Sequence, residues 1–167
     1  FKARLVARGF QQSYQENEKI YSPVARMNTL KILLVLACVN KWFIEQMDVQ
    51  TAFLNEKIKN EVFIYPPEGS NISENKACRL KKALYGLREN PRDWYECFNE
   101  FITNKGFVRS QYDYCLYVLK GNNYLVYLII YVDDLLLAGS DLNEIKRIKD
   151  LLTEKFRMTD MGRIKKY

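Results

Sequence analysis

The chain has 167 residues, 48% of them hydrophobic and 28% charged, which suits one domain with a real core, or two small subdomains that share one, and argues against disorder. Its net charge of +6 favours a polyanionic partner without proving one. Because the chain contains no histidine, Ser-His-Asp and Cys-His catalysis, histidine-bound zinc and imidazole proton transfer are all excluded.

The first half of the chain combines predicted strands with one clear helix. Basic and apolar residues alternate over 2–8, which predicts a strand. Apolar residues recur at three- and four-residue steps over 27–39, which predicts a helix with Asn28 as its N-cap. Apolar stretches at 42–49 and 62–65 predict two further strands.

The second half of the chain carries stronger signals for regular structure. A proline in the first turn and a glycine after the last turn predict a helix over 91–105. Strands are predicted over 114–119, 124–132 and 135–138, and a capping-box pattern predicts a last helix over 141–156. This mixture of helices and strands predicts an α+β fold with a mainly antiparallel sheet.

The cysteines and the chain ends bear on the cellular setting. The four cysteines show no close pairing, which predicts buried free thiols in a reducing compartment. No N-terminal signal is visible, and the longest apolar runs are too short to span a bilayer. The sequence does not begin with Met and ends on a basic run, so we expect it to be a piece of a larger polypeptide.

Basic residues concentrate in three stretches of the sequence, 1–10, 76–92 and 155–167. Clusters of this kind can neutralise phosphates and release counterions. Solvated loops explain each cluster equally well, so the pattern leaves both interpretations open.

Two strongly apolar strands are joined by a pair of adjacent carboxylates, Asp133 and Asp134, and we expect a tight hairpin that presents both at its tip. Ordinary turn chemistry is the alternative, since Asp tolerates turn conformations. Two carboxylates beside an apolar sheet repel each other and lose hydration, and a bound cation would relieve both penalties.

A third acid, Asp48, lies at the end of another predicted apolar strand. Strand-end aspartates are usually solvated or capping, but three acids from two strand ends suit two magnesium ions. Magnesium prefers oxygen ligands, and two such ions about 3.5–4 Å apart stabilise the attacking and leaving oxygens of phosphoryl transfer. This chemistry needs no histidine.

The two acidic motifs resemble the metal-binding motifs of reverse transcriptases, and the whole chain resembles the copia-type subgroup from end to end. The matching motifs stand in the family's order at Lys2-Ala-Arg-Leu-Val-Ala-Arg-Gly9, Ser22-Pro-Val-Ala-Arg26, Gln46-Met-Asp-Val49, Thr51-Ala-Phe-Leu-Asn55, Leu80-Lys-Lys-Ala-Leu-Tyr-Gly-Leu87, Pro91-Arg92, Trp94-Tyr95, Tyr131-Val-Asp-Asp134 and Lys155-Phe-Arg-Met-Thr-Asp-Met-Gly162. Any one of these strings is weak evidence, whereas the ordered set is specific.

The resemblance implies a partial reverse transcriptase domain over 1–167. Fingers are expected at about 1–25 and 56–89, and the palm at about 26–55 and 90–167, with an antiparallel palm sheet packed on helices. The thumb and RNase H regions are expected to be absent.

The resemblance also assigns roles to residues of the acidic motifs. Asp48, Asp133 and Asp134 would be catalytic and would hold two Mg²⁺ ions, with Mn²⁺ as the alternative, and the Val49 carbonyl would be a further ligand. Phe53 stands where the family places an aromatic gate against the sugar 2′-hydroxyl, although an ordinary core phenylalanine remains the alternative.

Further residues are implied to bind the incoming nucleotide. Tyr85, Gly86 and Arg88 resemble the loop that supports the nucleotide and the template base. The basic residues of the fingers strand would bind the triphosphate, which implicates Lys2, Arg4 and Arg8 without deciding among them, and ordinary solvated side chains are the alternative for each.

The implied function is an RNA-directed DNA polymerase that extends a primer on an RNA or DNA template with deoxynucleoside triphosphates. Its other expected partner is the rest of a Pol polyprotein, with no membrane. Its expected location is intracellular, in a cytoplasmic particle, with a nuclear stage as an alternative. Two rival readings stay open: an inactive retroelement remnant that folds and binds nucleic acid, and a structural or protein-binding domain.

Overall fold

The computed structural model describes residues 5–12, 20–55, 61–73 and 75–164. The chain folds as two compact units. Unit 1 comprises Phe1–Ser22 and Phe53–Cys97, and unit 2 comprises Pro23–Ala52 and Phe98–Tyr167. Each of them is therefore built from two separate stretches of the sequence.

Unit 2 contains a six-stranded antiparallel sheet in the order β4-β5-β6-β7-β1-β8. Its strands are β1 (Phe43–Val49), β4 (Val108–Arg109), β5 (Leu116–Lys120), β6 (Leu125–Tyr131), β7 (Asp134–Gly139) and β8 (Met158–Arg163). Strand β1 comes early in the chain yet lies between β7 and β8, so the sheet joins distant parts of the sequence.

The main core of unit 2 lies on one face of this sheet, against α3 (Leu142–Lys155) and the second half of α2 (Asn90–Asn104). Alternate residues of the central strands point into it because successive side chains of a strand face opposite ways. Leu128 and Leu137 are fully buried there, as is Ile148 on α3. Phe98 of α2 lies 5.9 Å from Tyr117 between ring centroids.

The helix α1 (Met27–Val39) packs on the other face of the sheet, where its Leu33 and Ala37 form a small cluster with Ile129 and Ala138. The opposite side of α1 is apolar and exposed, and Val35 is 61% accessible. The helix is therefore hydrophobic nearly all round, and only part of that surface is covered within unit 2.

Asp113, from the segment before β5, supports the start of α1. Its carboxylate accepts hydrogen bonds from the backbone amides of Arg26 and Cys115, both at 3.0 Å. Burial alone would raise the pKa of Asp113, but hydrogen bonds from Thr29, Arg26 and Cys115 outweigh it and lower the pKa. A distant residue thus satisfies the helix end that no cap residue of its own serves.

Unit 1 contains the two-stranded ladder of β2 (Phe63–Ile64) and β3 (Cys78–Arg79), a 3-10 helix at Gly9–Gln11 and the start of α2. The backbones at Gly9 and Gly86 touch, since a Cβ added to Gly9 would lie 1.9 Å from the Gly86 carbonyl oxygen. Glycine at both positions is what permits this contact.

The three helices and most strands of the described residues agree with the sequence predictions, and the α+β class with an antiparallel sheet is confirmed. The fingers, palm and missing thumb stay predictions. Three expectations were wrong: residues 5–8 form no strand, the N-cap of α1 is Arg26 and not Asn28, and Cys38 is exposed rather than buried. The remainder of the predicted strand at 2–8 lies outside the described residues.

The four cysteines are free, as expected, but only Cys115 is buried. Burial, followed by the charge of Asp113, raises the pKa of the Cys115 thiol to about 12. This thiol is therefore an inert part of the core.

Within the parts of the chain that the structure describes, no helix has both the length and the apolar character needed to cross a membrane.

Candidate active site

The antiparallel register of unit 2 brings Asp48 and Asp134 together. Asp48 is the last residue but one of β1, Asp134 is the first residue of β7, and the two are direct partners across the ladder. Directly opposed residues of an antiparallel pair point to the same face, with Cβ atoms about 4.5–5.5 Å apart. Two of the three predicted acids therefore lie side by side at one end of the sheet.

Asp133 joins them from the hairpin between β6 and β7, and its carbonyl accepts a 2.7 Å hydrogen bond from the Val49 amide. The two residues at the tip of the hairpin are Val132 and Asp133, because Asp134 already pairs with Tyr131. The expectation that both acids sit in the turn is thus corrected: one is in the turn and the other begins a strand.

Val132 has a φ of +58°, a left-handed conformation that β-branched residues rarely adopt. Residues held in such conformations cost about 1–3 kcal/mol and persist only where their surroundings enforce them. The sequence Tyr-Val-Asp-Asp therefore carries backbone strain at the point where the acids meet. Glycine or asparagine would adopt this conformation more easily.

The surroundings of the acidic cluster disfavour the ionised form of Asp134. Burial raises the pKa of Asp134, and the charges of Asp133 and Asp48 raise it further, while a hydrogen bond from Gln46 opposes them. The Gln46 Nε2 lies 3.4 Å from an Asp134 carboxylate oxygen, which is long for a hydrogen bond. This end of the sheet therefore favours the arrival of positive charge.

The side chains as they stand do not form a finished metal site. Across the described residues, no group of three or more acidic or cysteine side chains is arranged so that it could hold a metal ion. The backbone places the carboxylates together, and their oxygens have the chemistry that Mg²⁺ prefers. The Val49 side chain is buried, and its carbonyl stays a predicted ligand.

Phe53 and Tyr85, both predicted to contact the nucleotide, are in contact with each other in unit 1. Their ring centroids are 4.7 Å apart in an edge-to-face arrangement, and Phe53 is 9% exposed. Such aromatic pairs are worth about 0.5–1.5 kcal/mol beyond their buried area. Phe53 is thus mostly covered, and a gating role would use only its remaining exposed part.

Arg88 and Gly86, also predicted to bind the nucleotide, are engaged with the chain itself. The Arg88 Nε donates to the Gly9 carbonyl at 2.8 Å, and its Nη2 donates to the Phe10 carbonyl at 3.1 Å. Gly86 is approached closely by the backbone of Ala7. The glycine is therefore required by packing within unit 1, whatever it does toward a ligand.

Of the three basic residues predicted to bind the triphosphate, the structure describes Arg8. Arg8 is exposed and immediately precedes the 3-10 helix at Gly9–Gln11. Lys2 and Arg4 lie outside the described residues.

An ionic cluster around the buried Lys149 of unit 2 was missed by sequence reasoning. The Lys149 Nζ lies 2.5 Å from a Glu45 carboxylate oxygen and 2.6 Å from one of Asp160, and Lys149 and Glu45 are each 8% exposed. Burial alone would lower the pKa of Lys149, but its hydrogen bonds and attraction to both acids raise it. A signal existed, since Glu45 shares the strand face of Met47 and Val49, and an acid on an apolar face needs a buried partner.

Comparison with known proteins adds evidence that is independent of this geometry. The family described as reverse transcriptase (RNA-dependent DNA polymerase) matches residues 1–167. The chain is 37% identical over 167 residues to the retrovirus-related Pol polyprotein from transposon TNT 1-94 of Nicotiana tabacum, covering 97% of this chain and 12% of that protein.

Two further relatives extend the likeness to another plant and to yeast. Identity is 37% over 166 residues with the Pol polyprotein from transposon RE1 of Arabidopsis thaliana, covering 96% of this chain and 11% of that protein. It is 34% over 161 residues with the transposon Ty1-H Gag-Pol polyprotein of Saccharomyces cerevisiae, covering 93% and 8%.

The chain thus spans only about a tenth of the length of these curated relatives, while nearly all of it is matched. The family profile covers every residue, and the motifs that carry the resemblance include those with the acids that β1 and β7 bring together. The chain belongs to the reverse transcriptase family, in the group found in copia-type Pol polyproteins.

Proposed function

We propose that this chain supplies the catalytic centre of an RNA-directed DNA polymerase, which transfers nucleotides from deoxynucleoside triphosphates to a primer 3′-OH. The observation that carries the proposal is the pairing of Asp48 with Asp134 across β1 and β7, with Asp133 in the adjoining turn. A like-charged cluster at a strained hairpin is costly to the fold, and a functional requirement explains why it is kept.

In the proposed reaction the primer 3′-oxygen attacks the α-phosphorus of the nucleotide. A new phosphorus–oxygen bond forms, the bond to the β-phosphate breaks, pyrophosphate leaves, and the 3′-OH proton passes to solvent. The chain contributes mainly by positioning and electrostatics. Proton transfer by imidazole plays no part, since the chain has no histidine.

Asp48, Asp133 and Asp134 are the residues that would hold two Mg²⁺ ions. When bound, such ions stabilise the charge that develops on the attacking and leaving oxygens. Two observations support magnesium at these residues. Their carboxylate oxygens are the ligand type that Mg²⁺ prefers, and burial together with the charges of Asp133 and Asp48 raises the pKa of Asp134. Because no ready ligand set exists in the described residues, the proposal requires the carboxylates to reorient when cations bind.

The substrates follow from the same proposal. Phe53, braced by Tyr85, would limit space at the sugar, so that a 2′-hydroxyl is rejected. The basic residues of unit 1, Arg8 among them, would attract the triphosphate and the template-primer, consistent with the net charge of +6.

The decisive experiment measures primer extension on an RNA template by the complete natural polypeptide that contains this chain, over a range of Mg²⁺ concentrations. Asp133→Asn should reduce the rate by at least roughly a hundredfold, because metal ions supply several kcal/mol of transition-state stabilisation. The matched control is Asp150→Asn, which removes an exposed acid from α3 and should leave extension unchanged.

Two outcomes would contradict the proposal. Full activity in the Asp133→Asn protein would remove the acids from catalysis. A folded wild-type protein that binds template-primer but never extends it would instead identify an inactive remnant.

A further inference from the structure

Two distant segments of unit 1, 7–12 and 85–89, are joined by a dense set of hydrogen bonds. The Ala7 amide donates to the Tyr85 carbonyl at 2.7 Å. The Arg88 guanidinium donates to the carbonyls of Gly9 and Phe10. These bonds hold the stretch that carries Arg8 beside the loop that carries Tyr85.

Gln12 and Glu89 close this junction at its far end. The Gln12 Nε2 lies 3.1 and 3.0 Å from the two carboxylate oxygens of Glu89, and its Oε1 accepts a hydrogen bond from the Arg88 amide at 3.3 Å. The Gln12 side chain therefore forms hydrogen bonds with both the Glu89 carboxylate and the Arg88 backbone. Hydrogen bonds to a charged group are among the stronger ones in proteins.

The backbone contact between the segments leaves little freedom of placement. A Cβ on Gly9 would collide with the Gly86 carbonyl, and one on Gly86 would lie 2.0 Å from the Ala7 carbonyl oxygen. The nearest atoms at both glycines are backbone carbonyl oxygens, so neither glycine can take a side chain without a shift of the main chain. The close contact and the surrounding hydrogen bonds both join residues 7–12 to the 85–89 loop.

We infer that Gln12 and Glu89, together with Arg88, are positioning residues that hold the Arg8 segment against the Tyr85 loop for binding of the nucleotide triphosphate. The inference rests on the proposed function. It assigns Arg88 a different task from direct nucleotide contact, because two of its donors are oriented by the Gly9 and Phe10 carbonyls. Arg8 itself stays exposed and available to an anion.

Exchange of the two side chains tests this inference in the complete natural polypeptide. Gln12→Glu sets two carboxylates against each other and should raise the KM for deoxynucleoside triphosphate about tenfold, while kcat per active site changes by less than about twofold. The double variant Gln12→Glu with Glu89→Gln restores a carboxylate–amide pair in the reverse sense, and its KM should return to within about twofold of the wild-type value.

The matched control is Gln11→Glu, which adds the same charge at the neighbouring exposed residue and should leave KM unchanged. A role confined to stability would lower the fraction of active enzyme and would not raise KM. An equal rise of KM in the Gln11 variant would attribute the effect to charge alone and overturn the inference.

Hydrogen exchange without nucleotide gives a second readout that needs no activity. Exchange over residues 7–12 should speed up in Gln12→Glu and slow again in the double variant, because the Ala7 amide is bonded to Tyr85. Unchanged exchange would overturn the inference, and so would altered exchange with an unchanged KM. In both cases a wild-type protein that still extends primers leaves the proposed function standing, whereas a wild-type protein without extension refutes both.

Discussion

The two units use their polar side chains in opposite ways. In unit 2, register places Asp48, Asp133 and Asp134 together with like charges, and burial followed by those charges raises the pKa of Asp134. In unit 1, Arg88 and Gln12 are bonded to the chain itself at distances of 2.8–3.3 Å. The acidic cluster of unit 2 therefore favours binding of a cation, whereas these side chains of unit 1 already have hydrogen-bond partners within the chain.

A second contrast lies within unit 2. Lys149 pairs with the buried Glu45 and with the exposed Asp160, so the buried charges of this cluster have opposite-charge partners. The acids at the hairpin have only the long contact from Gln46 as a described hydrogen bond to their carboxylates. Within the described residues, the hairpin acids thus differ from Glu45 in that burial and like charges raise the pKa of Asp134.

Loss of the buried ion pair between Lys149 and Glu45 should change the protein most. Lys149→Ala leaves Glu45 buried without its partner and should cost about 3–5 kcal/mol in the free energy of unfolding, measured by urea denaturation. Lys146→Ala, on the exposed side of the same helix, should change it by less than about 0.5 kcal/mol. A loss below about 1 kcal/mol for Lys149→Ala would erase the contrast between the two charge clusters.

The next prediction tests whether Phe53 of unit 1 contacts the sugar of the nucleotide. Phe53→Ala should reduce discrimination between deoxynucleotides and ribonucleotides by at least about tenfold, because it opens space at the proposed sugar site. The measurement is the ratio of kcat/KM for the two substrates. Phe107→Ala, a buried phenylalanine of unit 2, should lower stability without altering this ratio. Unchanged discrimination in the Phe53 variant would leave it a core residue.

A smaller effect concerns Asp113 and the start of α1. Asp113→Asn should cost about 1–2 kcal/mol at neutral pH, since the carboxylate accepts several hydrogen bonds there. Because folding lowers the pKa of Asp113, its contribution is complete above the ordinary value of 3.8 and is lost as the pH falls through the folded-state pKa. The difference from wild type should therefore shrink in acid, and a pH-independent difference would contradict this account.

Replacement of Asp134 should change stability least, and it should stabilise the protein rather than destabilise it. With divalent cations chelated, Asp134→Asn should slightly raise the Tm at pH 7, because folding raises the pKa of Asp134 and so disfavours its ionised form. The gain should vanish once the pH falls below 3.8, where the carboxyl is protonated in both states. Glu154→Gln, an exposed acid of α3, is the control. A Tm lowered by the Asp134 variant would show that the hairpin acids stabilise the fold.

Local signals in the sequence predicted the regular elements well. The apolar repeat of α1 predicted its bounds, and Asp141 caps α3 as its capping-box pattern indicated, accepting from the amides of Asn143 and Glu144. Helix periodicity and caps depend on residues within a few positions of one another, so they can be read from one segment. Strands β3, β4 and β8 were missed because the first two have two residues each and β8 is largely polar.

The candidate site, like the fold, was only partly predictable from the sequence. The sequence supplied the identity of the acids and their order along the chain, and the family follows from that order. It did not show that Asp134 belongs to a strand while Asp133 lies in the turn, because that depends on which residues pair across the hairpin. The pairings of Arg88 with Gly9 and of Lys149 with Glu45 were not predicted either, since the partners are 79 and 104 residues apart in the chain.

The helices, the strong strands, the chemical character of the acids and the family could all be predicted from the order of the residues. The direct pairing of Asp48 with Asp134, the contact of Gln12 with Glu89 and the ion pairs of Lys149 depend on how the whole chain folds. The physical reason is that propensity and periodicity act over neighbouring residues. Register and charge pairing are instead fixed when distant strands and helices bury their apolar faces together.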